Sequence, residues 1–296
     1  MSTSAVLAQQ EALDLLDPLR PLRHPHFDDD DDPLLPAQPP SIPNETTHLA
    51  FPLPPFYTAA DADADAPPGP TSIHIKLAVD PTPGCGGVTW PAGEVLARYL
   101  ARRGPRALAG KNVLELGSGT GLVGLVAALL GARVCITDQA PLIPLIHRNV
   151  ALNRLSPSLC IPAELNWGDP LPASLPRPLH LILAADCVYF EPAFPLLVHT
   201  LTQLVPTPTP PDLNAHAPDP EILFCYKKRR KADKRFFALL KKHFTWTDVR
   251  APFRSHIPGP LTRHTIPPPP LQVIDDPNRA SYARETISLL TLRRKR

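Results

Sequence analysis

The chain has 296 residues, with 30 Lys and Arg against 28 Asp and Glu and a formal net charge of +2. That near-neutral balance excludes a whole-protein electrostatic footprint for nucleic acid, so any basic argument must be local. Five cysteines, odd in number and without a C-x-x-C pair, exclude a disulfide framework and a structural zinc site and point to a reducing compartment, the cytoplasm.

Taken in order, the 42 prolines concentrate before residue 92, around 206 to 220 and around 252 to 277. The first 20 residues lack a basic start and an uninterrupted apolar core, so no signal peptide is expected. No window reaches the roughly 18 apolar residues of a membrane span. Residues 1–70 carry an Asp run at 28 to 32, proline clusters and an Asp-Ala alternation at 61 to 66. Such a segment buries too little apolar surface to offset its chain entropy, so disorder is expected, with a short helix at 5 to 16. One domain is expected over 71–296. Its opening run Ser72–Val79 alternates as a strand does. A glycine-rich loop from Gly84 to Gly93 then carries Trp90 into a helix expected over 91–102, where Pro91 suits the first turn.

From residue 112 the periodicity becomes regular. Strands are expected at 112–116, 133–137, 159–165, 179–185, 221–226, 244–250 and 285–292, and helices at 121–130, 141–153, 192–204 and 231–242. This alternation predicts an α/β fold with a Rossmann-like, seven-stranded, mainly parallel sheet and helices on both faces, because parallel crossovers need helices. No helix separates the last two β runs, so the C-terminal strand is expected to be antiparallel. Leu181–Ala185 and Ile222–Tyr226 are continuous apolar runs, as strands buried on both faces should be. The proline-rich pieces 206–220 and 251–280 read as surface insertions.

The chemistry begins at Val113-Leu-Glu-Leu-Gly-Ser-Gly-Thr-Gly-Leu-Val-Gly124. A strand that stops at a glycine turn and feeds a helix aims backbone N–H groups and the positive helix end at a ligand. As text, Gly119-x-Gly121-x-x-Gly124 satisfies the dinucleotide fingerprint. The strand ends directly at Gly117, however, so the working turn is Gly117-Ser118-Gly119, and a dinucleotide phase starting there fails at Leu122. Asp138, ending the next strand, can accept from ribose hydroxyls of either NAD or S-adenosylmethionine; it also reads as a helix N-cap. Asp186-Cys-Val-Tyr189 follows a strand end, at the carboxyl edge where open α/β sheets bind ligands. Asp186 too has a capping alternative, ahead of Pro192. The run Lys227-Lys-Arg-Arg-Lys231 reads as a solvated face, a protein-docking surface or a nuclear or nucleic-acid signal. The histidines show no paired metal spacing, so no metal is expected.

Glu115-Leu-Gly-Ser-Gly-Thr-Gly-Leu122, with Asp138, Trp167-Gly168 and Ala185-Asp-Cys-Val-Tyr189, resembles the seven-β-strand family 16 methyltransferases, many of which methylate protein lysines. More narrowly, Cys85-Gly-Gly-Val-Thr-Trp90, Leu181–Tyr189 and Tyr226-Lys-Lys-Arg-Arg-Lys-Ala-Asp-Lys234 are similar to the fungal branch that methylates a lysine of translation elongation factor 1-alpha. The resemblance implies S-adenosyl-L-methionine as cofactor. Gly117, Ser118 and Gly119 would meet its methionine end, and Asp138 its ribose. Trp167 and Ala185 would flank the adenine, and Trp90 would close over the cofactor. It implies Asp186 and Tyr189 as the catalytic pair that positions the lysine amine. The expected partner is a protein substrate, with no membrane, no direct nucleic acid and a monomeric chain. Two rivals stay open on sequence: an NAD-dependent oxidoreductase on the same turn, and a non-catalytic scaffold binding a translation factor.

Overall fold

The computed structural model describes residues 45–54, 70–206, 218–249 and 286–295, apart from 82, 84, 174, 230 and 232. The expected helix at 5 to 16 and most of both proline-rich insertions lie outside these residues.

Two elements precede the main sheet. Strand β1 (Glu45–Pro52) pairs antiparallel with β2 (Ser72–Val79), in a register that sets Leu49 opposite Ile75 and Phe51 opposite Ile73. The strand at 45–52 corrects the expectation of disorder for that part of residues 1–70. Phe51, Ile75 and Leu77 are buried beneath the hairpin, so its apolar face is covered by the domain. The hairpin is fastened by two asparagines one helical turn apart, a spacing that sets both on one face. Asn149 accepts from the Ala78 N–H at 2.7 Å and donates to the Ala78 carbonyl at 3.0 Å and the Thr120 carbonyl at 2.9 Å. Asn153 makes the same reciprocal pair with Lys76, at 3.0 and 2.7 Å. These amides replace the ladder partners that an edge strand lacks.

Helix α1 (Pro91–Leu108) follows, broken at Gly104-Pro105 before a last turn. Then come β3 (Asn112–Leu116), α2 (Leu122–Leu129), β4 (Arg133–Asp138), α3 (Ile143–Leu152), β5 (Cys160–Glu164) and β6 (Leu181–Ala185). Helix α4 (Phe194–Leu204), β7 (Glu221–Lys227), α5 (Asp233–Leu240), β8 (Phe244–Asp248) and β9 (Ile287–Arg294) complete the chain. The seven-stranded sheet has the order β5-β4-β3-β6-β7-β9-β8. Its first five strands pair in parallel, while β9 runs antiparallel to β7 and β8. The fold is therefore the mainly parallel α/β sheet with an antiparallel ending.

Alternate strand residues face opposite sides of the sheet. Val113, Leu181 and Leu183 join α1, α2 and the hairpin in one core, whereas Leu114, Ile182 and Phe224 join α4 and α5 in the other. The strand order reverses at β3, with β4 on one side and β6 on the other, both parallel to it. Diverging crossovers leave a crevice above the carboxyl ends at such a point. Among the described residues no helix is long and apolar enough to cross a membrane.

Candidate active site

A cavity of about 320 Å³ opens above the carboxyl ends of β3, β4 and β6. All nine residues singled out from sequence line it: Trp90, Gly117, Ser118, Gly119, Asp138, Trp167, Ala185, Asp186 and Tyr189.

The floor is the turn after β3. Gly117 and Gly119 both take φ +57°, a left-handed conformation that side chains disfavour. A Cβ on Gly117 would meet Trp167 Cζ2 at 2.7 Å, and one on Gly119 would meet the Gly86 carbonyl oxygen at 2.6 Å. Asp138 clasps this turn. Its Oδ2 accepts from the Gly119 N–H at 2.7 Å and its Oδ1 from the Gln139 N–H at 2.7 Å. Asp138 is thus a brace of the turn, while the N-cap of the following short helical turn is Gln139.

Two carboxyls beneath the turn are perturbed. Glu115, in the middle of β3, is 1% exposed and accepts from the Gly124 N–H at 2.9 Å. Burial pushes its carboxyl from 4.5 up to about 8, with the Asp138 charge adding to the rise and the Gly124 N–H opposing it. Burial likewise pushes Asp138 up to about 6, against the Gly119 and Gln139 N–H groups. The folded state therefore holds a proton on Glu115 that the unfolded chain loses above about pH 4.5. Stability from that proton is fully present below pH 4.5 and is lost as pH rises to about 8. Glu115→Gln keeps the shape without the charge, so it is expected to flatten the fall in melting temperature across that window. An unaltered pH profile would remove Glu115 from the titrating set.

At the end of β6 the chain turns through Asp186 with φ +59°, a conformation Asp tolerates better than most residues. Its N–H donates to the Cys225 carbonyl at 2.7 Å, which holds the turn against β7. The carboxylate points toward β7 rather than α4, which corrects the helix-cap alternative. It accepts from both terminal guanidinium nitrogens of Arg229, at 2.6 and 2.7 Å. Burial, above all, pushes the Tyr189 phenol well up, so it stays protonated as a hydrogen-bonding group and is no base. Trp90 stands at the rim, 40% exposed, with Nε1 donating to the Cys85 carbonyl at 2.8 Å. The cation over its ring is Arg229, 5.1 Å from the centroid.

Sequence reasoning missed Glu115, Gln139 and Arg229 as lining residues. An acid inside the apolar run Val-Leu-Glu-Leu was a usable signal for Glu115. Arg229 was hidden in a basic run, whose ordinary reading is a solvated face.

The residues suit a polar ligand that approaches the backbone closely. The two glycines leave a cradle that any Cβ would fill, and Asp138 lines it, whereas Glu115 holds a proton and Asp186 is already paired with Arg229. Ser118 Oγ and Gln139 Nε2 are buried with no hydrogen-bond partner among the described residues. Buried polar groups are rarely left so, and these two await a polar ligand.

Residues 71–243 match the lysine methyltransferase family. The chain is 43% identical over 190 residues to protein-lysine N-methyltransferase EFM6 of Saccharomyces cerevisiae, a match covering 56% of this chain and 73% of the yeast protein. It is 38% identical over 170 residues to protein N-lysine methyltransferase METTL21A of Danio rerio, covering 56% and 72%. Among solved structures it is similar to N-methyltransferase NodS from Bradyrhizobium japonicum in complex with S-adenosyl-L-homocysteine. That likeness has a TM-score of 0.41 and 14% identity, over 69% of this chain and 88% of that one.

Proposed function

The chain belongs to the lysine methyltransferase family, and from that premise we propose that it methylates a lysine of translation elongation factor 1-alpha. It is a protein-lysine N-methyltransferase with S-adenosylmethionine as methyl donor and a protein as substrate. The choice of that protein is supported by the resemblance of Cys85–Trp90, Leu181–Tyr189 and Tyr226–Lys234 to the fungal branch with this substrate. All five cysteines are free thiols, which fits the cytoplasm that such a substrate implies.

One observation carries the assignment of roles: the cofactor-class residues and the Asp186-Tyr189 pair line one cavity. S-adenosylmethionine, when bound, supplies an electrophilic methyl group on a positively charged sulfur. Gly117, Ser118 and Gly119 are assigned to its amino-acid end, where close backbone approach and the free Ser118 hydroxyl are useful. Asp138 is assigned to the ribose, and Trp167 and Ala185 to the adenine. Trp90 is assigned to the rim between cofactor and substrate.

The acceptor is a lysine amine, which must be neutral to attack. A free lysine at neutral pH lies about three units below its pKa of ~10.4, a deficit of about 4 kcal/mol. Asp186, the buried carboxylate behind the rim, draws in the ammonium form and aligns it; desolvation inside the cavity then favours release of the proton to solvent before the neutral amine attacks. The protonated Tyr189 phenol gives the amine a second fixed polar neighbour. Orientation of this kind lowers barriers by roughly 7 to 11 kcal/mol in favourable cases.

Incubation of elongation factor 1-alpha with the enzyme and S-adenosylmethionine is expected to yield a lysine-containing peptide heavier by one or more methyl groups in mass spectrometry. Methyl label entering other proteins of a fungal lysate but not this factor would overturn the choice of substrate.

A further inference from the structure

The Asp186 carboxylate is already occupied. Its Oδ1 accepts from Arg229 Nη1 at 2.6 Å and from the Lys227 N–H at 3.2 Å, and its Oδ2 accepts from Arg229 Nη2 at 2.7 Å. A carboxylate has about four acceptor positions. Among the described residues, one position on Oδ2 remains for another donor.

The guanidinium that fills two of the others is held from its second side by the Trp90 ring, 5.1 Å from its carbon to the centroid. That is a cation–π distance. A carboxylate on one side and an indole face on the other form the setting that a partly desolvated alkylammonium requires. The Arg229 side chain is 25% exposed against 5% for Asp186, so the guanidinium lies between the carboxylate and solvent.

We propose that Arg229 is a placeholder cation, which fills the ammonium subsite between Asp186 and Trp90 until the lysine of the protein substrate exchanges with it. The inference rests on the assignment of Asp186 to the substrate lysine. Two features suit exchange. The Arg229 backbone is anchored, since its N–H donates to Asp233 Oδ2 at 2.9 Å and the neighbouring Lys228 N–H donates to the Thr286 carbonyl at 2.9 Å. The side chain can therefore swing out without moving the loop. Asp186 also keeps the Lys227 N–H when the guanidinium leaves, so the carboxylate is never stranded.

The consequence is selectivity. A tethered cation competes at a high effective concentration. Free amines and short peptides have little with which to outcompete it, whereas a docked protein gains the difference from contacts around its lysine. Arg229 thus selects lysines by the protein that presents them.

The test uses n-butylammonium chloride as a stand-in for the lysine side chain. It is titrated into the full chain saturated with S-adenosylhomocysteine and followed by the Trp90 indole N–H resonance. Arg229→Gln is expected to bind it about tenfold or more tightly than the parent chain, the scale of one charge-assisted hydrogen bond. Arg229→Lys, which cannot form the two-pronged contact, is expected to bind with intermediate strength. Equal or weaker binding in folded Arg229→Gln would overturn the proposal. Should that variant fail to fold, binding by Arg229→Lys no tighter than by the parent would do the same. Asp186→Asn is expected to lose butylammonium binding. Retained binding there would instead overturn the lysine assignment of Asp186, on which the inference stands.

Discussion

Asp186→Asn is expected to lower methyl transfer by about 100-fold or more, within the range of a positioned acid–base group, while affinity for S-adenosylhomocysteine changes by less than about threefold. Asparagine is the informative replacement because residue 186 sits at φ +59°, a region that Asn enters readily and most side chains do not. The substitution keeps size and backbone; it removes the charge and replaces one acceptor oxygen by an amide donor, so only one of the two Arg229 contacts can persist. In the proposed role the lost anion draws in the lysine ammonium, and the carboxylate is 5% exposed, so water does not replace it. Cofactor affinity should survive because the glycine turn and its Asp138 clasp lie on β3 and β4 and do not touch Asp186 in the hydrogen-bond pattern. Initial rates with labelled methyl donor, beside calorimetry with S-adenosylhomocysteine, separate the two quantities. Full activity in the variant would remove Asp186 from the catalytic set.

Gly119→Val is expected to abolish cofactor binding, with a loss of about 100-fold or more from backbone strain and contact together. The added Cβ would stand 2.6 Å from the Gly86 carbonyl oxygen, a backbone atom in the short helical turn Cys85–Gly87. Relief requires the loop that carries Trp90 to move, or the residue to leave φ +57°. Leaving that conformation breaks the 2.7 Å bond from Gly119 N–H to Asp138. Either route opens the cradle. Asp138→Ala removes the clasp and the proposed ribose acceptor but keeps the glycines, so its loss is expected to be smaller, about tenfold. Ligand at 100 times its dissociation constant raises stability by about 2.7 kcal/mol. The parent chain should therefore melt higher with S-adenosylhomocysteine, and Gly119→Val should not. An equal rise in both would mean that the turn is not the cofactor seat.

Much of this was legible in the chain. The expected strands from 112 onward all occur, with ends shifted by a few residues, because short apolar or alternating runs bounded by turn residues and separated by helical periodicity read as strands. The phase of the glycine turn was also readable, since a strand end fixes where the chain must bend. Strand β1 was not readable. Its run Glu-Thr-Thr-His-Leu-Ala-Phe-Pro is weakly apolar and lies among prolines, and it is a strand because β2 pairs with it across the chain. Nor did sequence reveal Glu115 as a proton store, since its raised pKa comes from burial in the folded sheet.

Asp186 and Arg229 mark the boundary most sharply. Sequence alone determined that a glycine turn, an acid after the next strand and an Asp-Cys-Val-Tyr segment would share the carboxyl edge of one parallel sheet, because helices between successive strands make them run parallel. Tertiary structure decided what the acid touches there. Arg229 lies 43 positions beyond Asp186, and the two meet because β6 and β7 pair in parallel, setting Ala185 beside Cys225. Trp90 reaches the same guanidinium from a third, earlier segment. Contacts between residues so far apart depend on register and packing, which no local pattern encodes, and they turned a basic run that reads as surface into part of the site.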